Sequence, residues 1–107
     1  RHPNSAIPSE LVHIFQAMGT AAEKIARKTG SVIGSRDTDV ALEVERDDDE
    51  MDSLHRELIG SLIAPQWAHG VETAIDLTLL GRYYERYADH AVSVSRRVYF
   101  LVTGKFA

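Results

Sequence analysis

Apolar residues recur along the chain at alternating spacings of three and four residues. This spacing places them on one face of an α-helix, whereas a half-buried β-strand would alternate at every second residue. We therefore predict a first helix over about residues 9–33, with Ser9 as its N-terminal cap. Its inward face is formed by Leu11, Phe15, Met18, Ala22, Ile25, Thr29 and Val32.

Two further segments repeat this pattern. The second helix is predicted to begin at Asp37 or Asp39, and Asp47 is the one polar residue on its inward face. The other inward positions are Val40, Val44, Met51, Leu54, Leu58 and Leu62. The third helix is predicted over about residues 71–102, with Gly104 as its stop. Its inward face is rich in small residues and consists of Ala74, Leu77, Gly81, Tyr84, Ala88, Ala91, Ser95, Val98 and Val102.

The three predicted helices are separated by short, glycine- and proline-containing stretches. The second and third helices would be joined by a turn near Pro65–Gly70. No segment alternates as a strand over a useful length. We therefore predict an all-α fold, an elongated up-down-up three-helix bundle of about 40–50 Å, with residues 1–107 forming a single domain.

The composition argues against several classes of protein. The 107 residues include no cysteine, which argues against a disulfide scaffold or a thiolate metal site. The net charge of −4 argues against a nucleic-acid surface, and no apolar run reaches the roughly 20 residues of a membrane span. We expect a cytoplasmic protein. Because the chain starts at Arg1 and not at Met, we expect its start to reflect proteolysis or a cloning boundary.

The negative charge is concentrated in one part of the sequence. Between Asp37 and Asp52 there are nine acids and one base, Arg46. Such a run on a helix is usually a solvated surface, but it can also gather a cation or contact a basic partner.

Two pairs of carboxylates carry the most specific chemical signal. Asp48 and Asp52 are four residues apart, as are Glu85 and Asp89, so each pair lies on one helix face with about 5–6 Å between its members. In an antiparallel pair of helices, one register sets Asp48 opposite Asp89 and Asp52 opposite Glu85. Four converging carboxylates repel one another, and a hard cation such as iron, manganese, magnesium or calcium removes that cost. The sequence therefore predicts a metal site at these four residues.

Neighbouring residues offer alternatives to this prediction. Arg82 and Arg86 could pair with the acids as ordinary helical neighbours. His55 follows Asp52 by three residues and is a candidate for the surroundings of a metal, whereas His90 points about 100° away from Asp89.

A second carboxylate motif is weaker. Glu10 and His13 have the Glu-x-x-His spacing of di-iron carboxylate bundles, which use two such motifs and four helices. This sequence has the motif once and predicts three helices, so we interpret it as a coincidence. A ferritin-like metal enzyme is kept as an alternative.

Two stretches of the chain resemble a known family. The segment from Leu80 to Gly104 contains Glu85-Arg-Tyr-Ala-Asp-His-Ala91 and ends in Thr-Gly, and it resembles the closing helix of PhoU-type phosphate regulators. Asp48-Asp-Glu-Met-Asp-Ser-Leu-His55 resembles the motif of that family's second helix. The resemblance covers almost the whole chain and is closest to the actinobacterial branch.

This resemblance implies a fold and a metal site. PhoU-like proteins are two tandem three-helix repeats, and this chain is similar in length and ends to the second one. The family's acidic motifs, which hold multinuclear iron or zinc, fall on Asp48, Asp52, Glu85 and Asp89.

The resemblance also implies a function. It indicates a non-enzymatic cytoplasmic adaptor that damps phosphate uptake and phosphate-starvation signalling. The implied partners are a sensor histidine kinase and the ATPase subunit of a phosphate ABC transporter. We also expect a homodimer and neither nucleic-acid binding nor membrane insertion. A purely structural helical interaction module remains a further alternative.

Overall fold

Three α-helices form the protein over residues 7–104, the part of the chain that this computed structural model describes. No strand occurs in this range, so the all-α three-helix prediction is confirmed. The bundle measures 50 × 24 × 18 Å. A short 3₁₀ turn at Ser9–Leu11 is followed by α1 (Val12–Ser35), α2 (Thr38–Leu62) and α3 (Gly70–Thr103).

Two of the predicted helix ends are observed. Asp37 caps α2, because its side chain accepts hydrogen bonds from the backbone N–H groups of Asp39 at 3.0 Å and Val40 at 3.2 Å. Gly104 ends α3 with φ of 75°, a left-handed conformation that glycine adopts without a steric cost.

The prediction that Ser9 caps the first helix was wrong. Ser9 lies inside the 3₁₀ turn, where the N–H of Leu11 donates to the carbonyl of Pro8 at 2.9 Å. α1 therefore begins only at Val12, without a side-chain hydrogen bond at its N-terminus.

The core contains most of the predicted inward positions and some of their neighbours. Ile14, Ala21, Ala41 and Val92 are also buried, because each helix of a three-helix bundle packs against two others and buries a wider face than a single row. Val102 is 45 % exposed, contrary to prediction, and lies in the last turn of the longest helix.

Among the described residues, no helix combines the length and the apolar character needed to cross a bilayer. Residues 1–4, on which the expectation of proteolysis or a cloning boundary rests, lie outside the described part.

Candidate functional site

A glycine allows α2 and α3 to approach closely beside the predicted site. Gly81 is buried, and a β-carbon at this position would overlap with the side chain of Leu58 and lie 3.3 Å from the His55 ring. His55 therefore lies over the α3 backbone one helical turn before Glu85.

Three of the four predicted carboxylates come together where these helices meet. Asp48 and Asp52 of α2 and Asp89 of α3 each offer an oxygen atom, and these three atoms all lie within 4.8 Å of one another. We call these three residues the carboxylate cluster. Asp48 and Asp52 are half-buried, whereas Asp89 is exposed, so the cluster is open to solvent on the α3 side.

Asp48 is the member most affected by its surroundings. Its Oδ1 atom is buried and has no hydrogen-bond partner. Burial, followed by repulsion from Asp52 and Asp89, raises the pKa of Asp48 from 3.8 to about 6. The buried Oδ1 atom of ionised Asp48 therefore has no hydrogen-bond partner, and a bound proton or cation would satisfy it.

Glu85, the fourth predicted ligand, lies beside the carboxylate cluster and is not a member of it. Burial raises the pKa of Glu85, and a side-chain hydrogen bond with Asp89 raises it further. That bond needs a proton on one of the two carboxyl groups. The charge of His55 acts in the opposite direction and lowers the pKa of Glu85.

These residues fit a hard cation. The donors are all carboxylate oxygens, which suit iron, manganese or magnesium and are also found at zinc. The buried and unpartnered oxygen of Asp48 is the atom that such a cation would satisfy. Because α2 supplies two of the clustered residues and α3 the third, the cation would link the two helices.

Comparison with known proteins gives this geometry a family context. Residues 15–98 match the PhoU domain. The chain is 46 % identical over 99 % of its length to the phosphate-specific transport system accessory protein PhoU homolog 1 of Mycobacterium leprae, of which it covers 48 %. It is equally similar, at 46 % over 99 % of its length, to PhoU homolog 2 of Mycobacterium tuberculosis, of which it covers 50 %.

The chain belongs to the PhoU family. A more distant relative, the PhoU homolog of Zymomonas mobilis, is 30 % identical over 88 % of the chain, which covers 40 % of that protein. The PhoU-family chain thus spans about half the length of the mycobacterial relatives that it matches. No solved structure matches it.

The other residues considered from the sequence are placed away from the carboxylate cluster. Arg82, Arg86 and His90 line a groove on the outward side of α3. Neither arginine forms an ion pair within the part of the chain that the structure describes, so the alternative in which they pair with the acids is not observed there. Both are exposed and lie along that groove.

The weaker di-iron motif does not form a joint site. Glu10 lies 2.9 Å from His69 before α3, whereas His13 lies 3.8 Å from Glu57 of α2. The two side chains meet different partners, in agreement with the interpretation that their spacing is a coincidence.

Two lysines of α1 form a feature that the sequence analysis missed. Lys28 lies 3.1 Å from buried Asp47 and 3.0 Å from Glu43, and Lys24 lies 3.7 Å from Asp47 and 3.2 Å from Glu50. Lys24 and Lys28 are four residues apart, and this spacing beside a polar position on the inward face of α2 was the available signal.

The acids of α2 face different neighbours in the structure. Glu45 accepts two hydrogen bonds from Arg96 of α3, both at 3.1 Å, while Glu43, Asp47 and Glu50 face the lysines of α1. The nine acids therefore do not form one continuous docking face, because part of the run is paired with basic residues of α1 and α3.

Proposed function

We propose that this PhoU-family chain is a non-enzymatic regulatory domain that acts in the cytoplasm on phosphate uptake and phosphate-starvation signalling. The observation that carries the proposal is the match of residues 15–98 to the PhoU domain. It is supported by 46 % identity, over nearly the whole chain, to proteins named as accessory to phosphate-specific transport systems.

The proposed action is that of an adaptor between two proteins. One is the ATPase subunit of a phosphate ABC transporter, and the other is a sensor histidine kinase. A packed bundle suits this role because it presents preformed helical faces, which lose little conformational freedom on binding.

A homodimer is also proposed, and the small residues of α3 do not provide its surface. The small residues of α3, including Gly81, Ala88 and Ser95, are buried inside the bundle. Self-association would need another surface. Exposed Ile33 and Leu42, close to the α1–α2 turn, support such a contact.

The adaptor role is tested by direct binding. The purified chain is titrated into the transporter ATPase and, separately, into the cytoplasmic part of the kinase, both from the source organism. An ATPase from an unrelated ABC transporter is the control. We expect binding to both regulatory partners and not to the control. Failure of the folded chain to bind either partner would contradict the adaptor proposal for this domain.

A carboxylate-bound iron or zinc ion is the second part of the proposal. Asp48, Asp52 and Asp89 would hold it, with Glu85 next to them. The metal would supply positive charge that neutralises the carboxylate cluster. Because its ligands come from both helices, it would also hold α2 against α3 at the position of Asp89.

Elemental analysis of the iron- or zinc-loaded protein tests this site. We expect stoichiometric metal in the wild type and its loss in Asp48→Asn/Asp89→Asn. The matched control Asp39→Asn/Glu72→Gln removes the same charge at exposed positions of α2 and α3 and should keep the metal. Equal metal content in both double variants would assign the ion to another site.

A further inference from the structure

The side of α3 that faces away from the bundle carries exposed aromatic and apolar residues. Leu79 is 60 % exposed, Tyr83 64 % and Tyr87 37 %. Large apolar side chains in one continuous exposed row are typical of binding surfaces. Tyrosine and arginine are also the residue types that contribute most to protein–protein binding energy.

Two grooves flank this row, and Tyr83 and Tyr87 line both of them. The first has a volume of about 400 Å³ and is lined by Leu79, Arg82, Tyr83, Arg86, Tyr87 and His90. We call these six residues the outer face of α3. The second groove, of about 320 Å³, lies between α3 and α1 and is lined by Ala22, Glu23, Ala26, Tyr83, Tyr84 and Tyr87.

The core of the bundle supports the exposed row of Leu79, Tyr83 and Tyr87. Tyr84 packs against the core, and its hydroxyl group reaches towards Gly19 of α1. The ring of Tyr83 meets the ring of Tyr84 edge-on, with centroids 5.7 Å apart and planes at 72°. A supported tyrosine loses less freedom when a partner binds, so the grooves are suited to recognition.

The charge of the outer face is basic. Arg82 and Arg86 border the first groove without an ion pair in the described part of the chain, and His90 lies at its end. The acids of the same stretch, Glu85 and Asp89, interact with the α2 carboxylates. The protein carries a net charge of −4, so the charge of this surface is opposite in sign to that of the whole chain.

We propose that the outer face of α3 is a docking surface for an acidic amphipathic helix of a partner protein. Apolar side chains of that helix would fill the groove beside Leu79 and Tyr83, and its acids would pair with Arg82 and Arg86. A second copy of this chain is a poorer occupant, because symmetric pairing through this face sets its basic groups against each other. The inference rests on the proposed adaptor role and names the surface and the partner chemistry.

Two synthetic helical peptides test the proposal with the whole chain. Both carry the same leucine stripe, flanked by glutamates in one and by lysines in the other, and binding is followed by fluorescence anisotropy. We expect the glutamate peptide to bind more tightly, with an affinity that falls as salt is added. Tyr83→Ser and Arg86→Glu should each weaken it at least about tenfold. Arg56→Glu, an equal charge change at an exposed position of α2, should not.

Other results would overturn the proposal. Equal binding of the two peptides, or unchanged affinity in Arg86→Glu, would exclude recognition by this face. A wild-type dimer in sedimentation that Tyr83→Ser converts to a monomer would assign the face to a second copy.

The adaptor role can fail separately. If the kinase and the ATPase bind the chain and Arg86→Glu weakens neither, the docking surface is wrong and the adaptor role stands. If the glutamate peptide binds and neither protein does, the docking surface stands and the adaptor role fails.

Discussion

Gly81 of α3 lies directly against Leu58 of α2, with no room for even one additional carbon atom between them. Leu58 is fully buried, so its side chain cannot turn into solvent to make space. This contact fixes the distance between the two helices that supply the carboxylate cluster. A buried glycine of α3 therefore contributes to the placement of the carboxylate cluster.

We predict that Gly81→Ala destabilises the protein by about 1 kcal/mol. Overpacking costs about 1–3 kcal/mol, and the better helix propensity of alanine returns about 1 kcal/mol. Gly30→Ala is the matched control, because position 30 of α1 is exposed with nothing within 4 Å of an added β-carbon. It should stabilise by about 0.5–1 kcal/mol. Urea unfolding measures both, and a gain of stability in both variants would show that the α2–α3 contact is not tight.

Asp47 provides a second stability prediction. Its carboxylate is nearly buried between Lys24 and Lys28, and these contacts join α1 to α2. Asp47→Asn should lower the free energy of unfolding by about 1–2 kcal/mol, because it removes the charge that the lysines face. Asp49→Asn, an exposed neighbour in the same acidic run, should change it by less than about 0.5 kcal/mol. Equal effects of the two changes would mean that the lysine contacts contribute nothing.

The helices and much of the site could be predicted from the sequence because they depend on local spacing. The periodicity of the apolar residues predicted the positions of all three helices. The shared register of the two carboxylate pairs predicted that Asp48 and Asp89 face each other. The prediction used only the geometry of an antiparallel helix pair, which the structure follows closely enough for three of the four acids.

The contacts with α1 could not be predicted in the same way. Register between α2 and α3 says nothing about how α1 is rotated, so the pairing of Lys28 with Asp47 and the separation of Arg86 from the acids were not visible. The acidic run consequently looked like one surface. In the structure its members face α1, α3 or solvent, according to their angle around α2.

The raised pKa of Asp48 predicts how the stability of the metal-free protein depends on pH. Its pKa is about 6 in the folded protein and 3.8 ordinarily, so the folded state holds this proton more tightly than the unfolded chain. The stabilising contribution is complete below about pH 3.8 and is lost as the pH rises through about 6. In the presence of a chelator, we expect the Tm to fall between about pH 5 and pH 7.5. The raised pKa of Glu85 acts in the same direction.

Asp48→Asn isolates this effect. An amide is uncharged, and its N–H groups can donate to Asp52 or Asp89, so the variant should be more stable than the wild type at about pH 7.5. Solvent on the α3 side screens the charges, which limits the expected gain to about 1 kcal/mol. Asp39→Asn, at an exposed site, should retain the wild-type pH slope. A slope that is unchanged in Asp48→Asn would assign the pH dependence to other groups.

Metal addition should reverse the same destabilisation. At about pH 7.5, iron(II) or zinc is expected to raise the Tm, since a ligand at 100 times its Kd stabilises by about 2.7 kcal/mol. Protons compete for the same oxygens, so the shift should shrink at about pH 5. Asp48→Asn/Asp89→Asn should abolish it, and Glu85→Gln, beside the carboxylate cluster, should reduce it less. A shift of wild-type size in the double variant would place the ion elsewhere on the protein. Protonation alone would then remove the energetic cost of ionised Asp48.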